Sequence, residues 1–458
     1  MPDLMQWFAR NVVFPTEAIW IGSTAPAHLR ELEKTQFLPA GDLAELRFRR
    51  LKSILKHAYE NCSFYTERFN RYQFNPGRLQ SPDDILVLPV LTKKDIQENK
   101  EQIRARNYSD AMLVPNKTGG STGSPLFFYL DKDRRFSREA ATIRHNRWTG
   151  WDLGTQTAFL WGHRGDHSGM DKWKAKLRNK FLDRNIPLDT SSITKEKLAA
   201  FRERLKKLRP PIYIAYSNSI FLYARYLTGT GQSDYHRPKA IITTAEILAP
   251  EQRELIEMTF ECRVFDRYGS RETSVIATEC ERHTGLHICA ETFWVEFLKE
   301  NKPAQPGEFG KVIITDLLNY GMPFIRYQIE DAGVPSAEEC SCGRGLPLMK
   351  MAAGRMTDFL VTPDGKIISG AALTIYLIAN APGVAQAQLI QEKKDEILFK
   401  IVKGETFGDQ TLRFFETEIP KFFGPAVKYS LEFVDHIPLE SSGKYRFSIS
   451  RIDPAEMF

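Results

Sequence analysis

The stretch NKTGGSTGSPLFFYL, residues 116–130, sets Gly119, Gly120 and Gly123 among Thr118, Ser121, Thr122 and Ser124 before an apolar run. Glycines let backbone N–H groups approach an anion, and hydroxyls add donors, so this composition suits a loop wrapped around phosphates. No Lys-Ser/Thr pair follows the last glycine, which separates it from the P-loop of nucleotide triphosphatases. Taken alone it is also the composition of a surface turn. Further along, DRYGSRET (266–273) carries Tyr268, Gly269 and Glu272, IRYQIEDAG (325–333) carries Asp331, GRMTD (354–358) carries Arg355 and Asp358, and ESSGKYR (440–446) carries Lys444. Each has a bland reading: a strand-end turn, a surface carboxylate, a solvated lysine.

The cysteines raise a second question. Six in 458 residues are too few for a disulfide framework. Yet Cys340 and Cys342 share the run ECSCGRG, and Cys280 and Cys289 flank His283 and His287 in ECERHTGLHIC. Two short-spaced groups far apart in sequence can close one tetrahedral Cys₃His zinc site. Cys280 with His283 makes a Cys-x₂-His pair, and His287 lies seven residues on, so spacing alone leaves the histidine open.

In chain order, TGGSTGSP, DRYGSRET, TDLLNYGMPFIRYQIEDAG, GRMTD and ESSGKYR together resemble the adenylate-forming superfamily of acyl-CoA synthetases and adenylation domains. Within it the chain looks most like the phenylacetate-CoA ligase branch, including relatives encoded with capsular polysaccharide genes. The resemblance spans nearly the whole chain. It implies ATP-dependent activation of a carboxylic acid as an acyl-adenylate with release of pyrophosphate, then acyl transfer to CoA. By the same resemblance Thr118, Gly119, Gly120, Ser121, Thr122 and Gly123 cover the ATP phosphates, and Ala245, Glu246, Tyr268 and Gly269 border the adenine. Asp331 and Arg355 meet the ribose, Glu272 holds Mg²⁺, Asp358 is a hinge, and Lys444 is the catalytic lysine. The family segment around GLHI favours His287 as the ligand that joins Cys280, Cys340 and Cys342 on a structural zinc. Adenylation needs charge neutralised on phosphates and reactants held close, which suits such a residue set.

The elements that would position these residues follow from periodicity. GDLAELRFRRLKSILKHAYE (41–60) spaces Leu43, Leu46, Leu51, Ile54, Leu55 and Ala58 as one helix face, and TKKD puts Asp95 in a capping box with Thr92. LFFYL, TAFLWG, PIYIAY, KAIITTAE and VFDRYG read as strands, alternating with helices over 195–208 and 250–260. That alternation predicts an α/β fold. A change of pattern near MAAGRMTD predicts a large N-terminal domain of mixed sheets and helices, residues 1–354. A small mobile α+β C-terminal domain, 355–458, follows, with strands ILFKIV and VKYSLEFV around a helix over 410–423.

Composition excludes several classes. A formal net charge of +6, with no dense basic block, gives no reason to expect nucleic acid as a partner, and the cations of 172–184 read as a solvated helix face. No apolar run approaches the ~20 residues of a membrane span. The N-terminal segment MPDLMQWFARNVVFPTEAIWIG lacks a signal-peptide pattern and reads as an amphipathic segment docked on its own domain rather than resting on a bilayer. A cytoplasmic location is expected. The segment 159–169 is expected near the acyl pocket, with Trp161, His163 and Tyr216 as candidate lining.

Two departures from the family pattern bear on the acceptor. VTPDGKIISGAALT (361–374) replaces the usual Arg-Gly-Val-Asn-like run, and Gln328 stands where many relatives carry a base. They leave an amine or hydroxyl acceptor open beside CoA. A non-catalytic nucleotide-binding scaffold is the reading from another class, and the presence of Glu272, Asp331, Arg355 and Lys444 together argues against it. The acid and the oligomeric state are not set by the sequence.

Overall fold

The computed structural model describes residues 3–118, 126–162, 172–190, 193–231, 233–353, 356–357, 359–364, 366–370, 373–374, 377–438 and 446–452. The helix Ala40–Asn61 buries all six apolar positions expected from its spacing. Thr92 caps the helix Lys93–Glu98: its hydroxyl accepts from Asp95 N–H (3.1 Å) while the Asp95 carboxylate accepts from Thr92 N–H (2.8 Å). The hairpin β1 (Leu113–Lys117) and β2 (Phe127–Asp131) flanks the glycine-rich loop.

One mixed sheet organises the chain up to residue 353. Five strands run parallel in the order β4-β3-β5-β6-β7: β3 (Thr157–Trp161), β4 (Asn185–Asp189), β5 (Ile212–Tyr216), β6 (Ala240–Thr244) and β7 (Arg263–Ser270). IYIAY and AIITT are buried at every position, as parallel strands covered on both faces should be. The helices Lys195–Leu208, Ser217–Gly229 and Pro250–Phe260 supply the crossovers.

At β7 the pairing turns antiparallel through β8 (Ser274–Glu279) and β9 (Leu286–Ile288). The sheet then adds β10 (Phe293–Lys299), β11 (Lys302–Pro303), β12 (Gly310–Asp316), β13 (Tyr327–Pro335) and β14 (Leu348–Ala353). Across the whole sheet the order is β11-β10-β12-β13-β14-β9-β8-β7-β6-β5-β3-β4. Among the described residues this part holds the twelve-stranded sheet and the β1–β2 hairpin, in keeping with a large domain of mixed sheets and helices.

A separate C-terminal domain follows. β15 (Met356–Thr357), β18 (Val384–Lys393), β19 (Glu396–Lys403), β20 (Lys428–Phe433) and β21 (Arg446–Ser450) form a five-stranded sheet, and β16 (Phe359–Val361) pairs with β17 (Ile367–Ser369). The helix Asp409–Phe423 buries Phe415, Ile419 and Phe423 at i, i+4 and i+8, against Phe399 and Ile401, in a core of its own. No helix among the described residues is long and apolar enough to cross a membrane.

Candidate active site

A cavity of about 320 Å³ opens where β6 and β7 end. This is the carboxyl edge of the parallel block, where α/β sheets place their ligands. Its wall joins Thr118, Ala245, Glu246, Tyr268, Gly269, Glu272 and Asp331, which sequence reasoning had drawn from four separate stretches. Gly119, Gly120, Ser121, Thr122, Gly123, Arg355, Asp358, Lys444 and His163 lie outside the described residues. Trp161 and Tyr216 pack ring to ring at 4.2 Å on neighbouring strands and are not among the residues that line this cavity.

Local chemistry explains each placement. Thr118 N–H donates to Leu126 O (3.0 Å) and Leu126 N–H to the Thr118 hydroxyl oxygen (2.9 Å), so two hydrogen bonds clamp the neck of the glycine-rich loop. Ala245 holds a left-handed φ of 70°, which turns the chain sharply off β6. A Cβ on Gly269 would stand 2.3 Å from Ser274 O, so the bulge between β7 and β8 admits only glycine. Tyr268 donates its hydroxyl proton to Asp331 Oδ2 (2.9 Å), and Tyr327 donates to Glu272 Oε1 (3.2 Å). Both carboxylates are thus oriented from within the sheet.

Several contributors carry no motif and were missed. On the helix Lys132–Arg147, Arg134 pairs with Asp316 (2.8 Å) in full burial and reaches Thr273 O (3.4 Å), while Arg138 donates to Arg271 O (2.8 Å). These two arginines, four residues apart, hold the backbone on either side of Glu272. Burial, with Arg134 close by, pulls the Arg138 guanidinium down to about 9. Glu279 is fixed by Arg253 through two hydrogen bonds of 2.8 and 3.0 Å, and Asp266 beside it is pushed up to about 6 by burial and by the Glu279 charge. Arg134 and Arg138 lie in the charge-rich stretch KDRRFSREAATIRHNR, where nothing marks them from their solvated neighbours.

The Cys/His cluster closes nearby. Ligand atoms of Cys280, His287, Cys340 and Cys342 all lie within 4.8 Å of one another. Cys280 Sγ and Cys340 Sγ are 3.6 Å apart, and Cys342 Sγ is 3.4 Å from His287 Nε2. A tetrahedral zinc with ordinary bond lengths needs S···S near ~3.7 Å, so the donor set fits Zn²⁺. His287 Nδ1 lies 3.0 Å from Leu346 O, which fixes that nitrogen as the donor and leaves Nε2 bare toward the sulfurs. Burial also holds the His287 imidazole below its ordinary range, in the neutral form a ligand needs. Arg282 N–H, Arg344 N–H and the Thr284 hydroxyl point at the three sulfurs (3.4, 3.5 and 3.4 Å). His283 stands apart on the cavity wall, 3.3 Å from Glu279. Cys289 also lies outside the cluster, 3.2 Å from the Arg144 guanidinium.

Known proteins share both the sequence and this architecture. The chain is 25% identical to Protein CapK of Staphylococcus aureus over 90% of each chain. It is 24% identical to a phenylacetate-coenzyme A ligase of Escherichia coli (strain K12), over 72% of this chain and 75% of that one. A 2-hydroxyisobutyryl-CoA ligase, solved with 2-HIB-AMP and CoA in the thioesterification state, superposes with a TM-score of 0.61 at 18% identity over 92% of both chains. The chain is thus similar to members of the adenylate-forming superfamily. Phenylacetate-coenzyme A ligases are among its relatives, and its residues 360–451 match the family model CapK C-terminal domain. The large sheet and the separate C-terminal domain correspond to the fold of the solved ligase.

Proposed function

We propose that this chain is an AMP-forming acid ligase. A carboxylate oxygen attacks the α-phosphorus of ATP, the bond to the β-phosphate breaks, and pyrophosphate leaves with the bonding electrons. The sulfur of CoA then attacks the acyl carbon and AMP departs. The observation that carries this reading is the single cavity on which Thr118, Ala245, Glu246, Tyr268, Glu272 and Asp331 converge. The relatives with named activities are acid–CoA ligases.

The roles follow from chemistry. The loop 118–123 takes the β- and γ-phosphates, Ala245, Glu246, Tyr268 and Gly269 border the base, and Asp331 with Arg355 takes the ribose hydroxyls. Glu272, a single oriented carboxylate facing the cavity, would hold Mg²⁺, which supplies charge neutralisation on the phosphates. Residues 355–458 act as a lid turning about Asp358, and Lys444 brings its ammonium to the α-phosphate as negative charge builds there. Cys280, His287, Cys340 and Cys342 hold a structural Zn²⁺. Free cysteines and a need for ATP suit the cytoplasm.

The departures at 361–374 and Gln328 favour a second reading of the last step, transfer to an amine or hydroxyl instead of CoA. Pyrophosphate release across a panel of aryl and aliphatic acids, with and without CoA, tests both. Acid-dependent release that CoA accelerates supports the first reading, and release indifferent to CoA supports the second. Silence over a broad panel overturns catalysis and leaves a nucleotide-binding scaffold.

A further inference from the structure

The N-terminal helices Leu4–Phe8 and Phe14–Ile21, joined by a π-helical turn at Ala9–Val13, rest on the body through a narrow stripe. Ala9, Phe14 and Ala18 are buried, and a Cβ on Gly154 would stand 2.5 Å from Ala9 Cβ. Gln6, Val13, Pro15 and Glu17 are partly covered beside this stripe, and the remaining surface is exposed. Ile19 and Trp20 are 84% and 77% exposed, and Leu4, Trp7 and Phe8 are exposed as well.

Beside it lies the short helix Lys172–Arg178, tied on by an Arg178–Glu17 ion pair, with Arg184 paired to Asp3 close by. It exposes Trp173 and Leu177 in turn. Among the described residues, more than half of the exposed large apolar side chains sit on these two segments, including every exposed tryptophan.

Charge distinguishes among possible occupants. The acids of this region, Asp3, Glu17 and Asp183, are engaged by Arg184 and Arg178. Lys176 and Lys180 are exposed and have no carboxylate within ion-pair distance among the described residues. Protein–protein interface cores are depleted in lysine. Helices that lie in a bilayer interface combine Trp, Phe and Leu with Lys and Arg, and anionic headgroups attract the cations. We infer that this face docks the protein on an anionic lipid bilayer, the aromatic and aliphatic side chains entering the interface and the lysines meeting the headgroups. The helix does pack on its own domain, as the sequence suggested, but with one stripe only, and its other side serves the membrane.

The full chain is mixed with vesicles of phosphatidylcholine alone or with added phosphatidylglycerol, and flotation and tryptophan emission are read. Binding to the anionic vesicles, a blue shift, and release by salt are expected. Ile19→Ser/Trp20→Ser is expected to weaken binding roughly tenfold or more, and Lys176→Gln/Lys180→Gln to do so by a similar factor. Both pairs are surface-exposed, so an unchanged unfolding midpoint certifies the fold. No flotation with anionic vesicles at millimolar lipid overturns the proposal. So does binding that the serine pair leaves intact, or a solution dimer that the serine pair dissociates.

Discussion

The cavity and the Cys/His cluster lie back to back on one stretch of chain. From Glu279 to His287 the residues alternate in allegiance: Glu279 and His283 to Leu286 line the cavity, while Cys280 and His287 turn to the cluster. On β14, Leu348 pairs in register with His287 while Met349 lines the cavity. The cluster is closed, its donors gathered within 4.8 Å of each other. The cavity is open, with hydroxyls and carboxylates facing about 320 Å³ of space. The contrast teaches a division of labour. A site that must admit and release a ligand needs a wall that does not follow each departure, and the proposed metal on the cluster behind that wall would supply the stiffness.

The comparison can be broken at either end. Lys444→Ala should abolish the chemistry alone: ATP–pyrophosphate exchange falls by more than ~100-fold, while zinc content and unfolding midpoint stay at wild-type values. Near-normal exchange would remove Lys444 from the mechanism. Glu272→Gln should lower kcat/KM for MgATP by roughly tenfold to a hundredfold, again without touching the metal. Cys340→Ser/Cys342→Ser attacks the other side. Metal analysis should fall from about one equivalent of zinc per chain to near zero, with an unfolding midpoint several degrees lower. A raised KM for ATP is the diagnostic result, and an unchanged KM would show that the two regions are independent. Tyr268→Phe is the mildest test. Losing the 2.9 Å hydrogen bond to Asp331 should raise KM for ATP about fivefold, measured with the exchange assay and with metal content held constant.

Sequence made one kind of information legible and hid another. Thr118, Ala245, Tyr268, Glu272 and Asp331 sit in ordered motifs, so their convergence was foreseeable, and long periodic segments such as Ala40–Asn61 and Asp409–Phe423 came out as helices. Cys280, Cys340 and Cys342 were legible because thiols are rare. Spacing alone did not separate His287 from His283; the resemblance favoured His287, and the structure gathers it with the three cysteines while a left-handed φ of 52° at His283 accompanies that residue's place on the cavity wall. Strand order past β7 was not readable, because antiparallel neighbours are set by register across distant segments. Arg134 and Arg138 were hidden for a related reason. Arg138 acts on a backbone carbonyl, which leaves no mark in a sequence, and the Asp316 partner of Arg134 lies 182 residues away.

The cluster also has a topological side. Cys280 and Cys340 are 60 residues apart, and between them run β9, β10, β11, β12 and β13. A bond between the ends of such a loop removes unfolded-state entropy worth about 4 kcal/mol by the chain-closure estimate. The proposed metal would thus act as a drawstring on five of the twelve strands. Refolding from denaturant with the ion present should begin from a chain already tied at its waist, and the cavity wall would be among the first regions to find its register.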